Sequence, residues 1–175
     1  VEIDLELIRR FDQLGPRYTS YPTADHFTEA YNAEAYESWL ARRNVGGIVR
    51  PLSLYVHVPF CSTLCFYCGC NKVITRDKGK GVAYLKYLGE EIALQANALG
   101  EEARVAQMHW GGGTPNFYAL EQAAQLNAQL RNHFDFDPDG EYSIELDPRT
   151  CDAAYVAGLR ELGFNRVSLG VQDFD

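Results

Sequence analysis

The chain has 175 residues, 46% hydrophobic and 23% charged, enough for one sizeable globular domain but not clearly for two. Its formal net charge is −8 with both signs interspersed, which argues against nucleic acid or an anionic membrane as the main partner. No apolar run is long enough to span a bilayer and "VEIDLELIRRF" lacks signal-peptide architecture, so the expected location is the cytoplasm, where thiols stay reduced.

In chain order, "EIDLELIRRF" reads as a short amphipathic helix. "GPRYTSYPTA" is too rich in Gly, Pro, Thr and Ser for a helix or a central strand. "NAEAYESWLARR" reads as a helix capped by Asn32, with Tyr36, Trp39 and Leu40 on one face and "GG" at 46–47 ending it. A different regime then begins. "LSLYVHVPF" is a buried type of strand, followed by a cysteine loop. "VAYLKYLGEEIALQANAL" carries Leu85, Leu88, Ile92 and Leu99 at near-helical spacing, and "VAQMHW" is a second strand running into "GGGTP". "LEQAAQLNAQLRNHF" is a helix with Leu120, Ala123, Leu126 and Leu130 on its apolar face, and "YSIEL" is a third strand. "DAAYVAGLRELG" is a helix with Asp152 at its N-cap and Gly163 at C′, and "RVSLGV" is a fourth strand.

The order βαβαβαβ predicts a parallel sheet, either doubly wound or a barrel cut short. Both architectures place ligands at the carboxyl ends of their strands. The residues that stand out here follow four consecutive strands: the cysteines, "GGGTP", Glu145 with Asp147, and Gln172. Such a site suits a barrel mouth better than a single crevice. Val1 is not an initiator Met and the last residues stop just after a strand, so the chain is expected to be a piece of a longer protein.

"CSTLCFYCGC" puts four of the five cysteines in ten residues, spaced Cys61-x3-Cys65-x2-Cys68-x-Cys70. Disulfides are disfavoured by compartment, crowding and the odd count. Structural zinc draws on two separated ligand pairs, and no second pair exists here. An iron–sulfur cluster fits better. Cys70 then decides its chemistry: as a fourth ligand it closes the cluster for electron transfer, and otherwise one iron is open to bind a small molecule. The glycines of "GGGTP" let backbone approach a ligand, offering N–H and C=O groups to a zwitterionic head, although an ordinary βα turn is the alternative. Glu145 at a strand end can accept from ribose hydroxyls. His109 stands near a strand end, where it can support a site from behind. His26 and His133 show no partner pattern, and Cys151 reads as a small core residue.

A Cys-x3-Cys-x2-Cys loop after a first strand, with a Gly-rich turn after the second, resembles the radical S-adenosylmethionine (radical SAM) superfamily. Together "GPRYTSYPTA", "LYVHVPFC", "CFYCGC", "HWGGGTP", "IELDPR" and "GVQDF" resemble, within it, the oxygen-independent coproporphyrinogen III oxidase family. The resemblance implies an α/β fold: the N-terminal part of an incomplete TIM-like parallel barrel, about four βα units over residues 51–175, preceded by a helical and loop segment over 1–50. It implies that Cys61, Cys65 and Cys68 ligate a [4Fe–4S] cluster whose fourth iron is chelated by S-adenosylmethionine (SAM), with Cys70 outside the ligand set. It assigns Tyr55, Gly112 and Glu145 to the cluster-bound SAM. Tyr67, Gly113, Thr114 and Gln172 go to a second SAM, and no catalytic side chain is assigned.

The implied reaction is oxidative decarboxylation of two propionates of coproporphyrinogen III to vinyl groups, giving protoporphyrinogen IX in haem biosynthesis. It draws on an electron donor not identified by the sequence. A monomer without nucleic-acid or membrane partners is expected. The alternatives are a haem-binding radical SAM relative, as chaperone or haem-handling enzyme, and an electron-transfer iron–sulfur protein closed by Cys70.

Overall fold

Four parallel strands form the central sheet of a computed structural model of the chain, described for residues 4–12, 21–44, 46, 48–66, 68–100 and 103–171. They are β1 (Leu52–Val58), β4 (Arg104–Gly112), β5 (Asp135–Leu146) and β6 (Arg166–Leu169), hydrogen-bonded in that order. Every pairing in the sheet is parallel. Helices α3 (Lys78–Leu99), α4 (Leu120–His133) and α5 (Ala153–Glu161) alternate with the strands, as the sequence order predicts.

The strand period of two divides the sheet's faces. Val56, Val58, Met108, Trp110, Ile144 and Leu146 are buried in one core with Leu85, Leu88 and Ile92 of α3 and Ala123, Leu126 and Leu130 of α4. The alternate positions Tyr55, His57, His109, Ser143 and Glu145 make the other face polar. Closed barrels fill that interior with branched apolar side chains. A polar inner face suits a barrel that admits ligands.

Local chemistry sets the helix ends. Asp77 caps α3 by accepting from the Gly79 N–H at 2.9 Å, and Asp152 caps α5 by accepting from the Tyr155 N–H at 2.8 Å. Gly163 follows α5 at φ +96°, the left-handed conformation expected at C′.

The chain divides into two compact units, Val1–Trp39 and Leu40–Asp175. The first holds α1 (Leu5–Phe11), capped by Asp4, and a short 3-10 turn at Ala24–His26. Neither buries a residue. Helix α2 (Ala33–Ala41) starts at Asn32, whose side chain accepts from the Ala35 N–H at 3.0 Å. It stops at Ala41, short of the glycines expected to end it, and Tyr36 and Trp39 on its expected apolar face are exposed. Residues 13–20, most of "GPRYTSYPTA", lie outside the described residues.

Two features differ from expectation. The third strand begins at Asp135, well before "YSIEL". Val105 pairs with Phe136 but Gln107 pairs with Glu141, so the register jumps across the Pro–Asp–Gly stretch and the strand resumes beyond it. The cysteine loop is also closed at its base by a two-stranded parallel sheet. In it β2 (Phe60–Cys61) pairs with β3 (Val73–Ile74) in the register Phe60 to Val73 and Cys61 to Ile74.

Candidate cluster and SAM site

A cavity of about 730 Å3 opens at the carboxyl ends of the strands. Three of its walls come from the places the sequence singles out. Cys61, Cys65 and Cys68 form the first, Gly112, Gly113 and Thr114 the second, and Glu145 the third. Its size falls within the range of small-molecule sites. Tyr55 is absent from its lining and stands beside it on the inner face. Tyr67 and Gln172 lie outside the described residues.

Cys61 closes β2, and the hydroxyl of Thr114 points at its sulfur, 3.5 Å away. All five cysteines are free thiols. Among the described residues, no three His, Cys, Asp or Glu side chains converge so as to hold one metal ion. A cubane cluster asks for a different arrangement, because each iron takes its own thiolate and the sulfurs surround the cluster rather than meet. Three cysteines spread along one wall of an open cavity fit that demand. Cys68 and Cys70 are unequal. A bond from the Cys70 backbone N–H, with the nearby Lys72 ammonium, pulls the Cys68 thiol below its ordinary pKa. Hydrogen bonding with Cys68, then burial, pushes Cys70 up. Lys72 also ties the loop by donating to the Cys68 carbonyl at 2.8 Å.

The glycine turn is tighter than a ligand cradle alone needs. The N–H groups of Gly113 and Thr114 donate to Val58 O and Phe60 O, both at 2.8 Å. The N–H groups of these two residues are therefore spent within the fold rather than free, as the sequence led one to expect, and Thr114 O accepts from the Phe117 N–H at 2.8 Å. A Cβ on Gly113 would come within 2.7 Å of the Pro59 backbone. Gly112 sits at φ +113°, and a Cβ there would come within 2.6 Å of the His57 ring. The turn is glycine-rich because β4 passes directly against the base of the cysteine loop.

The inner face holds a polar network. The Tyr55 hydroxyl lies 3.1 Å from His57 Nδ1, and His57 Nε2 lies 2.9 Å from Asn71 O. A carbonyl only accepts, so Nε2 carries the proton and Nδ1 accepts from Tyr55. Burial, then the Glu145 charge, raises the Tyr55 pKa, which keeps its hydroxyl a donor. His109 bridges Ser143 and Glu145 on the same face, at 2.7 Å to Ser143 Oγ and 3.3 Å to Glu145 Oε1.

Three further cavity residues were not singled out as site residues from the sequence. Lys78, in the first turn of α3, places its ammonium 3.8 Å from the Phe117 ring centroid and donates to the Phe117 carbonyl. Burial pushes its pKa down. Buried Asn116 locks the glycine turn to the end of β5 by accepting from the Asp147 N–H at 2.9 Å and donating to Asp147 O and Thr150 Oγ1. Arg149 pairs with Asp147 at 2.7 Å and, outweighing burial, holds its carboxyl below the usual range.

The radical SAM superfamily model matches residues 55–175. The chain is 51% identical over 174 residues to an oxygen-independent coproporphyrinogen III oxidase of Pseudomonas aeruginosa, and 47% identical over 175 residues to the one of Escherichia coli. These matches cover 98% and 100% of the chain but only 37% of each relative. The solved structure of the E. coli coproporphyrinogen III oxidase (HemN), described as a radical SAM enzyme, superposes with a TM-score of 0.87 at 44% identity. It covers the whole chain and 38% of that structure, which agrees with the parallel sheet being the first part of a partial barrel. With the cysteine loop at the mouth of a parallel sheet, and a family match over more than half its length, the chain belongs to the radical SAM superfamily.

Proposed function

We propose that this chain is the cluster- and SAM-binding N-terminal part of an oxygen-independent coproporphyrinogen III oxidase. That enzyme would convert two propionates of coproporphyrinogen III to vinyl groups, giving protoporphyrinogen IX. The observation that carries the reading is the match of nearly the whole chain to two oxidases of that name, with the cysteine loop, the glycine turn and Glu145 arranged around one cavity.

Superfamily membership implies a [4Fe–4S] cluster and SAM, which when bound supply a carbon radical able to abstract hydrogen from an unactivated position. In this reading Cys61, Cys65 and Cys68 hold the cluster and Cys70 stands outside the ligand set. Tyr55, Gly112 and Glu145 belong to the cluster-bound SAM, Tyr55 acting through the inner-face network. Tyr67, Gly113, Thr114 and Gln172 belong to a second SAM. Lys78 offers the cavity a cation for an anionic ligand. The protein's part is to hold these groups in register and exclude water. The whole enzyme, in this reading, is a cytoplasmic monomer fed by a separate electron donor; no helix among the described residues is long and apolar enough to cross a membrane.

The test is an EPR spectrum of the anaerobically reconstituted, reduced full chain with and without SAM. A spectrum that changes on adding SAM is expected, from an open iron. Cys70→Ser should keep the cluster and Cys65→Ser should lose it. A cluster indifferent to SAM, and lost equally in both variants, would mean a closed electron-transfer centre.

A further inference from the structure

Cross-strand register brings three inner-face residues into one row: Tyr55 pairs with His109, and His109 with Ser143. Glu145 lies two residues further along β5, on the same face. His109 Nε2 faces a carboxylate oxygen of Glu145 at 3.3 Å, which places a proton on that nitrogen. Nδ1 is then left to accept from the Ser143 hydroxyl, 2.7 Å away. That hydroxyl has one proton, and its other acceptor, Met108 O, is farther at 3.3 Å. Tyr55 covers the imidazole, stacked at 6.0 Å between ring centroids with 20° between planes. Next along β4, a Cβ on Gly111 would lie 3.0 Å from the Glu145 carboxylate and 3.1 Å from the His109 ring. Serine sets the tautomer, tyrosine holds the ring plane, and glycine leaves the space in which imidazole and carboxylate meet.

We propose that His109 is a positioning residue for Glu145, fixing the carboxylate at the cavity wall and thereby setting affinity for the ribose hydroxyls of SAM. The inference rests on the reading of Glu145 as a SAM contact. A carboxylate on a flexible stem must be ordered before it grips a diol, and a bond from a ring held on both sides removes that cost.

The experiment measures SAM affinity by equilibrium dialysis on the cluster-reconstituted full chain, beside the SAM analogue lacking both ribose hydroxyls. His109→Ala is expected to weaken SAM binding about tenfold and leave the analogue unaffected. His109→Gln puts an amide N–H where imidazole Nε2 stands and should retain SAM affinity. His109→Asn reaches only the Nδ1 position and should not. Glu145→Ala tests the underlying reading: if it treats SAM and analogue alike, the ribose contact itself is overturned. If Glu145→Ala discriminates and His109→Ala does not, the positioning role alone is overturned. Should the alanine variant lose iron or fold, the Asn and Gln variants decide, and equal SAM affinity in those two overturns the proposal.

Discussion

Asp147 shows how one carboxylate can brace a cavity wall. Its side chain accepts from the Arg149 N–H at 2.9 Å and from the Arg149 guanidinium at 2.9 and 2.7 Å, while its backbone is held by Asn116. The arginine bonds, largest in effect, hold the carboxyl below its ordinary value of 3.8. A carboxyl depressed on folding contributes stability above its unfolded pKa and loses it as pH falls through the folded one. Urea midpoints followed from about pH 5 down to about pH 2 should therefore fall less steeply in Asp147→Asn than in the parent chain. The arginine partner is two residues away, but the brace on the backbone does not follow from spacing. "IELDPR" announces a strand end with an acidic residue, but the partner at Asn116 stands 31 residues earlier. Lys78 is equally silent, because its partner Phe117 lies 39 residues along.

Among the elements, α3 depends on a single residue for its start. It runs from Lys78 to Leu99, and the Asp77 side chain supplies the cap bond at its start. Asp77→Ala should cost about 1 kcal/mol in urea unfolding and speed hydrogen exchange in the first turn, which carries Lys78. Order and type of these elements were readable because apolar periods of 2 and 3.6 persist over enough residues to be distinct. Legibility failed where an element is too short or too irregular for a period. β2 and β3 have two residues each, and the early part of β5 is hidden behind Pro138 and Gly140, which read as breakers. The pairings within the inner-face network were invisible for another reason. Which residue of β4 lies beside Tyr55 is a matter of register, and register is set by the whole sheet.

At the scale of the molecule, the sheet ends on a strand whose four residues are all exposed, Val167 and Leu169 among them. No strand among the described residues covers its outer side. An open apolar edge invites pairing with another chain. A chain of these 175 residues should therefore self-associate with rising concentration in analytical ultracentrifugation, and Val167→Lys with Leu169→Lys should reduce it. The opposite end of the site has no such debt. The clasp of Phe60–Cys61 on Val73–Ile74 joins the two ends of the cysteine segment through backbone pairing. Loop closure, a cost that otherwise falls on the binding event, is met by the polypeptide itself. Whatever the cysteines grip then has only the short span between Cys61 and Val73 left to order, so the clasp sets how much chain a ligand must fix in place.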